Sequence, residues 1–261
     1  MTEGIRRTIL QSRLSRNAFS SVQALFYQPG DESWPELKTN YEKDGLVILP
    51  KYFSEDLCNA VLLDIDKAVE KTRCGSLNQS IRTIDNDQVY ANGERVIYSF
   101  DFGEFNEKVN RIVQNPQLRS ICEYINQSKL KVIQHWTKRV IPSSKTIERR
   151  LMNESWHRDG GGLSLVRFIV NLNDVRHDQG PFQFARGSHR RSVSRESCYT
   201  GEADIVSCEG RKGDVIIVNV TGGWHRAGKV TNGQRDTLQV ALCSPWADGI
   251  NRFLKYGSYL K

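Results

Sequence analysis

His157 and Asp159 stand two positions apart in Trp156-His-Arg-Asp-Gly160. On an extended segment the side chains of residues i and i+2 project to the same face, so an imidazole and a carboxylate reach one point. That makes two thirds of the His/His/carboxylate face that binds non-haem Fe(II) and leaves other coordination positions open. On the pair alone, a hydrogen-bonded surface His–Asp contact is the better account. Five histidines and thirty acids give about 0.6 such matches by chance in a chain of this length. A third ligand must come from a distant segment. Trp224-His225-Arg-Ala-Gly228 follows the apolar run Gly213–Val220, and a strand ending in a glycine-relaxed turn presents His225 at the mouth of a barrel. Ten residues further, Arg235 opens another β-type run and shares its parity with Thr237, Gln239 and Ala241. A planar guanidinium grips a carboxylate through two parallel donors. An iron site beside a fixed arginine suits a chelating 2-oxo diacid.

The elements that would position these groups are mainly β, with flanking helices. Short β-branched runs occur at Lys131–Val140, Leu163–Leu172, Gly213–Val220 and Thr237–Leu242. Turn signals at Gly160-Gly-Gly162, Asp178-Gln-Gly180, Gly222-Gly223 and Asn232-Gly233 separate them, a pattern of a sandwich or jelly-roll barrel. In Leu163–Asn173 the face Val166, Phe168, Val170, Leu172 is wholly apolar and is expected to pack on helices. The face Leu165, Arg167, Ile169, Asn171 mixes in polar groups, as a cavity lining does. Upstream, Lys43–Pro50 reads as a short buried strand, and Ser54 as the N-cap of a helix with Leu57, Val61, Leu62, Ile65 and Val69 on one stripe. Further helices are expected from Glu104 to Val113 and from Pro116 onward. The breakers Pro29-Gly30 and Trp34-Pro35 close a basic N-terminal extension, residues 1–40, ahead of one domain, residues 41–261.

The chain has 261 residues, and its longest apolar runs are of strand length, which excludes a membrane-spanning helix. No fixed-period repeat or low-complexity tract is present, which argues against a solenoid or a wholly disordered chain. The formal charge of +7 favours acidic partners, including a small anionic substrate, although a solvated basic surface explains it too. The six cysteines form no C-x-x-C pair, and scattered thiols without a secretory leader fit a reducing, cytoplasmic setting. Arg6, Arg7, Arg13 and Arg16 give the N-terminus a transit-peptide-like composition. The preferred reading is a short amphipathic helix carrying Ile9, Leu14, Val22 and Leu25.

With His157-x-Asp159, His225 and Arg235 in hand, the chain resembles the Fe(II)/2-oxoglutarate-dependent oxygenases, in particular the phytanoyl-CoA dioxygenase-like branch. Gly180-Pro-Phe-Gln-Phe-Ala-Arg-Gly-Ser-His189 is similar to a family element, with Arg186 where proline is usual. Tyr41–Pro50 followed by Phe53-Ser-Glu-Asp-Leu-Cys58 is similar to the family's opening. The resemblance implies a double-stranded β-helix (jelly-roll, cupin-like) in which His157, Asp159 and His225 bind Fe(II) and Arg235 holds the distal carboxylate of 2-oxoglutarate. It implies an O2-dependent oxidation of a small molecule, with 2-oxoglutarate converted to succinate and CO2. One departure is Ala227, where the family often carries a serine that helps bind the co-substrate; Thr237 and Gln134 are candidates to replace it. Gln134 is expected to share a strand face with Val132 and Trp136. Because Asp159 is retained, hydroxylation is favoured over halogenation.

Arg167 is the first candidate for contact with a substrate anion, equally readable as one half of a rim ion pair, with Asn171 and Trp136 beside it. Trp156 and Trp224 precede ligands and so point away from the metal, as buttresses. His135 reads as a packed strand residue, His177 as solvent-facing and His189 as a turn stabiliser. Two basic clusters, Lys138, Arg139, Lys145, Arg149, Arg150 and Arg186, Arg190, Arg191, Arg195, read as solvated loops or as steering charges. An oxygenase acting on nucleic acid is disfavoured, since Ala241 stands where alkylated-base demethylases carry a second arginine and no stacking platform is evident. A catalytically inactive β-barrel binding protein is the other alternative, against which the complete ligand set argues. Substrate identity and oligomeric state are not legible.

Overall fold

The computed structural model describes residues 13–28, 30, 33–73, 82–83, 90–91, 95–101, 106–142, 155–159, 165–190, 193–248 and 250. The Gly160–Gly162 turn, Cys74, Glu104, Lys145, Arg149, Arg150, Arg191 and the first twelve residues lie outside them.

Two antiparallel sheets face each other. The larger runs β1 (Leu46–Leu49), β9 (Val215–Val218), β6 (Val166–Asn171), β11 (Arg235–Cys243), β5 (Lys131–Pro142), β4 (Arg95–Asp101) and β2 (Arg82–Thr83), with β3 (Tyr90–Ala91) also on β4. The smaller runs β10 (His225–Ala227), β7 (Phe182–Ala185) and β8 (Ile205–Cys208), and the segment carrying His157 adds to its free edge by a bridge to His225. This is the expected jelly-roll architecture. Four of its strands, β7, β8, β10 and β4, are too short or too mixed in polarity to stand out by alternation alone.

Strand parity divides the larger sheet into two faces, as expected. Val166, Phe168, Val170 and Leu172, with Leu238, Val240, Leu242, Val215 and Ile217, form the main core. Against them pack α2 (Pro35–Asp44), α3 (Glu55–Arg73), α4 (Glu107–Val113) and α5 (Pro116–Asn126) through Val61, Ile65, Val109, Ile112, Leu118 and Ile121. Ser54 caps α3 by accepting from the Leu57 N–H at 3.3 Å. Asn106 and Asn115 cap the next two helices, so α4 begins later than Glu104. The opposite face, between the sheets, holds a second core of Leu46, Ile169, Phe184, Cys208, Ile216, Val218 and Val220.

Two expectations need correction. Trp34-Pro35 does not break the chain but starts α2, because proline's missing N–H costs nothing at the first helical position. Upstream, α1 (Arg13–Phe26) is a helix, as expected, but it packs through Phe19 on Cys243 and Ala247 and through Gln23, hydrogen-bonded to Ser244, while Val22 and Leu25 of the expected apolar face are 48% and 81% exposed. The second correction concerns β5. Its ladder with β11 pairs Gln134 with Ala241 but Val132 with Leu242, so Ile133 is bulged. A bulge inserts one residue and reverses parity beyond it. Val132 therefore joins the helix-side core, while Gln134 stays on the barrel face with Trp136 and is exposed.

Candidate metal centre

His157, Asp159 and His225 come together, each offering one ligand atom within 4.8 Å of the others. His157 and His225 exchange both backbone hydrogen bonds, at 3.0 and 2.9 Å, and the Asp159 N–H donates to Val220 O at 2.9 Å. Only a single bridge forms at His157 rather than a full strand, yet the extended backbone suffices to turn both side chains inward. The turn before His225 is built by Asn219, whose Oδ1 accepts from the Gly222 N–H at 2.8 Å, and by Gly223 against Phe184. A Cβ on Gly223 would lie 2.1 Å from Phe184 Cζ, so only glycine lets the turn close over the ring.

Each imidazole is oriented from behind. His157 Nδ1 lies 2.8 Å from Ser155 O and His225 Nδ1 lies 3.1 Å from Gly223 O. A carbonyl can only accept, so each Nδ1 carries the proton and each Nε2 presents a lone pair. Burial, and then the neighbouring His225, push the His157 imidazole down, which favours this neutral form. Burial alone would raise the Asp159 carboxyl, but the Arg167 guanidinium beside it favours the charged form and holds it below the usual carboxylate range. Asp159 Oδ1 thus faces the two Nε2 lone pairs, 3.5 Å from His225 and 3.7 Å from His157. Among the described residues neither the His225 Nε2 nor the Asp159 Oδ2, both buried, has a hydrogen-bond partner. Three acceptors facing one another around a gap, with no donor between them, fit a bound cation.

The outward positions of the same segments lock them together. Trp156 lies under the Arg226 guanidinium (4.7 Å to the ring centroid) and Trp224 under that of Arg158 (4.4 Å). These two crossed cation–π pairs bear out the expectation that the tryptophans point away from the ligands. Ser188 ties both segments: its Oγ accepts from the Trp224 N–H at 2.9 Å and its carbonyl from Arg158 Nη2 at 3.1 Å. His189 and Arg190 contact the Glu42 carbonyl of α2, so the Gly-Ser-His element braces the site from outside. Sequence reading missed Ser188, Asn219 and Phe184, since serine in a turn, asparagine before Gly-Gly and an apolar strand residue have ordinary structural uses.

The other expected site residues fall as follows. Arg235 and Thr237 are buried on the barrel face of β11 (9% and 4% exposed), with Thr237 Oγ1 accepting from Gln239 at 3.4 Å. Trp136 is buried on the same face of β5 under the Arg167 guanidinium, 4.9 Å away. Arg167 is engaged with the triad itself, Nη2 lying 2.8 Å from Asp159 Oδ2, instead of with a rim acid. Asn171 sits four residues further along β6, about 13 Å by strand rise, and is buried beside Gly210 and Asp214. Of the basic clusters, Arg139 is neither solvated nor in the barrel: it is buried on the helix side against Asp236. His177 is exposed, as expected.

A family model described as phytanoyl-CoA dioxygenase matches residues 41–237, three quarters of the sequence and all of the triad. The chain belongs to the phytanoyl-CoA dioxygenase family. Among proteins of curated function no sequence match is found. Solved structures share the fold at low identity. The non-haem α-ketoglutarate-dependent epimerase SnoN from nogalamycin biosynthesis has 16% identity and a TM-score of 0.61 over 80% of this chain and 82% of its own. HygX from Streptomyces hygroscopicus, with nickel and 2-oxoglutarate bound, has 16% identity and a TM-score of 0.57 over 82% and 89%. EctD from S. alaskensis, with bound Fe, has 13% identity and a TM-score of 0.58 over 84% and 80%. Among the described residues no helix is long and apolar enough to cross a membrane.

Proposed function

We propose that this protein is an Fe(II)- and 2-oxoglutarate-dependent oxygenase that hydroxylates a small molecule. The observation that carries the reading is the set of three inward acceptors, His157 Nε2, Asp159 Oδ1 and the partnerless His225 Nε2, on the barrel face that also holds Arg235. Fe(II) with 2-oxoglutarate supplies O2 activation and a strong oxidant when bound, chemistry that amino-acid side chains lack. His157, Asp159 and His225 would hold the metal. Arg235 would hold the distal carboxylate of 2-oxoglutarate, with the nearby Thr237 hydroxyl in place of the serine missing at Ala227. Retention of Asp159 leaves no vacancy for a halide, which favours oxygen transfer.

The test is turnover of 2-oxoglutarate, read as succinate, with and without added Fe(II) and across pools of candidate metabolites. Iron-dependent succinate release is expected in the wild type and none in His225→Ala. Arg235→Ala is expected to raise the KM for 2-oxoglutarate by about 10-fold or more, the loss of a bidentate charged contact. Metal-independent turnover, or unchanged co-substrate affinity in Arg235→Ala, would overturn the assignment.

A further inference from the structure

The two oxygens of Asp159 have different surroundings. Oδ1 faces His157 and His225 at 3.7 and 3.5 Å, whereas Oδ2 lies 2.8 Å from Arg167 Nη2. We propose that Arg167 is a positioning residue that makes Asp159 a one-oxygen ligand: its charge pairs with Oδ2 at 2.8 Å, without hydrogen-bond geometry, and so draws that oxygen away from the metal and reserves a coordination position that a chelating carboxylate would otherwise take.

Three features of the fold serve this arrangement. The Asp159 backbone is fixed by its N–H bond to Val220 O, so only rotation of its side chain decides which oxygen points inward. The guanidinium is itself held over the Trp136 ring, its Cζ 4.9 Å from the centroid. Directly across the ladder from Arg167 stands Ala241, whose small side chain leaves the long arginine room to run along the sheet toward Asp159. Among the described residues Asp159 is the acid with which Arg167 forms an ion pair, and the pair is four-fifths buried, with side chains 20% and 21% exposed. Without a metal each charge depends on the other, since either left alone in that setting is costly. Arg167 thus presets the metal site before the metal arrives.

The consequence is arithmetic on an octahedral ion. Two imidazoles and one carboxylate oxygen leave about three positions, enough for a two-point chelator and one further small ligand. With both carboxylate oxygens bound, about two remain, and a chelator fills them.

This inference rests on the metal reading proposed above, and Mn(II) separates the two. Mn(II) takes the same kind of site and reports its exchangeable waters through water-proton relaxation and through broadening of its magnetic-resonance lines in 17O-water. In the wild type about three waters are expected on bound Mn(II), and about one after addition of 2-oxoglutarate. In Arg167→Met relaxivity is expected to fall by about a third, and addition of 2-oxoglutarate is expected to remove the last water. Arg167→Lys, which restores a cationic donor near Oδ2, is expected to return that water. A merely structural role for Arg167 would change stability or metal affinity but not the water count. Equal counts in wild type and Arg167→Met overturn the proposal, and so does a wild-type count of two waters, which needs no variant to fold. Failure of the wild type to bind Mn(II), or to bind 2-oxoglutarate in its presence, instead overturns the metal reading beneath it.

Discussion

Replacing Arg139 by methionine is expected to cost about 3–5 kcal/mol of stability, the range for leaving a buried charge without its partner. Arg139 donates to Asp236 through Nε at 2.7 Å and Nη2 at 3.1 Å, and to Asp66 of α3 through Nη1 at 2.6 Å. Asp236 is completely buried, and besides Arg139 its carboxylate accepts from the Gln234 side chain at 2.7 Å. Asp66 is more than half exposed, so its loss of the arginine is cheap and the cost falls on Asp236. An unfolding entropy of about 2.1 cal/mol/K per residue converts the loss to a fall in Tm of roughly 5–9 °C for a chain of this length. Scanning calorimetry of the metal-free protein measures it. Arg139→Met/Asp236→Leu is expected to recover most of the loss, because the uncompensated charge is then gone. A single variant within about 2 °C of the wild type would refute the reasoning, and so would a double variant whose loss is the sum of the two singles. Asp236 separates Arg235 from Thr237 on β11, so the same pair fixes the strand that carries the proposed co-substrate anchor.

Three further outcomes follow from the geometry. Gly223→Ala drives a methyl into Phe184 and displaces the turn that aims His225, so affinity for Ni(II), measured by isothermal titration, is expected to drop by about 10-fold or more, with overpacking costing about 1–3 kcal/mol. Trp156→Ala removes a ring that is 1% exposed and leaves Arg226 without its aromatic face; denaturant unfolding is expected to show a loss of about 3–5 kcal/mol. A divalent metal at 100 times its Kd is expected to stabilise the wild type by about 2.7 kcal/mol and His157→Ala by much less, a difference readable in paired thermal melts.

The common face of His157 and Asp159, that of Arg235 and Thr237, and the parity of Leu165–Asn173 were legible because strand alternation is a strict rule of local geometry. Residues two apart on an extended chain share a face wherever the strand is placed. Legible for the same reason were the outward-facing Trp156 and Trp224. The position of Val132 and Gln134 was not: a bulge shifts parity by one residue and depends on the partner strand, which leaves no mark in the strand's own alternation. Short strands such as β10, three residues long, exist only because β7 and the His157 segment pair with them.

Residue types thus determined which atoms are available to bind a metal and a dicarboxylate, since ligand chemistry belongs to the side chain. Tertiary structure decided their allocation. It sent Arg167 to Asp159, although parity gave that residue a cavity-facing position open to a substrate. It sent Arg139 to the helix side and Asp236, out of a cluster that read as solvated. In both cases a cation with low exposure must find the acid that folding brings beside it, and sequence distance says nothing about which acid that is.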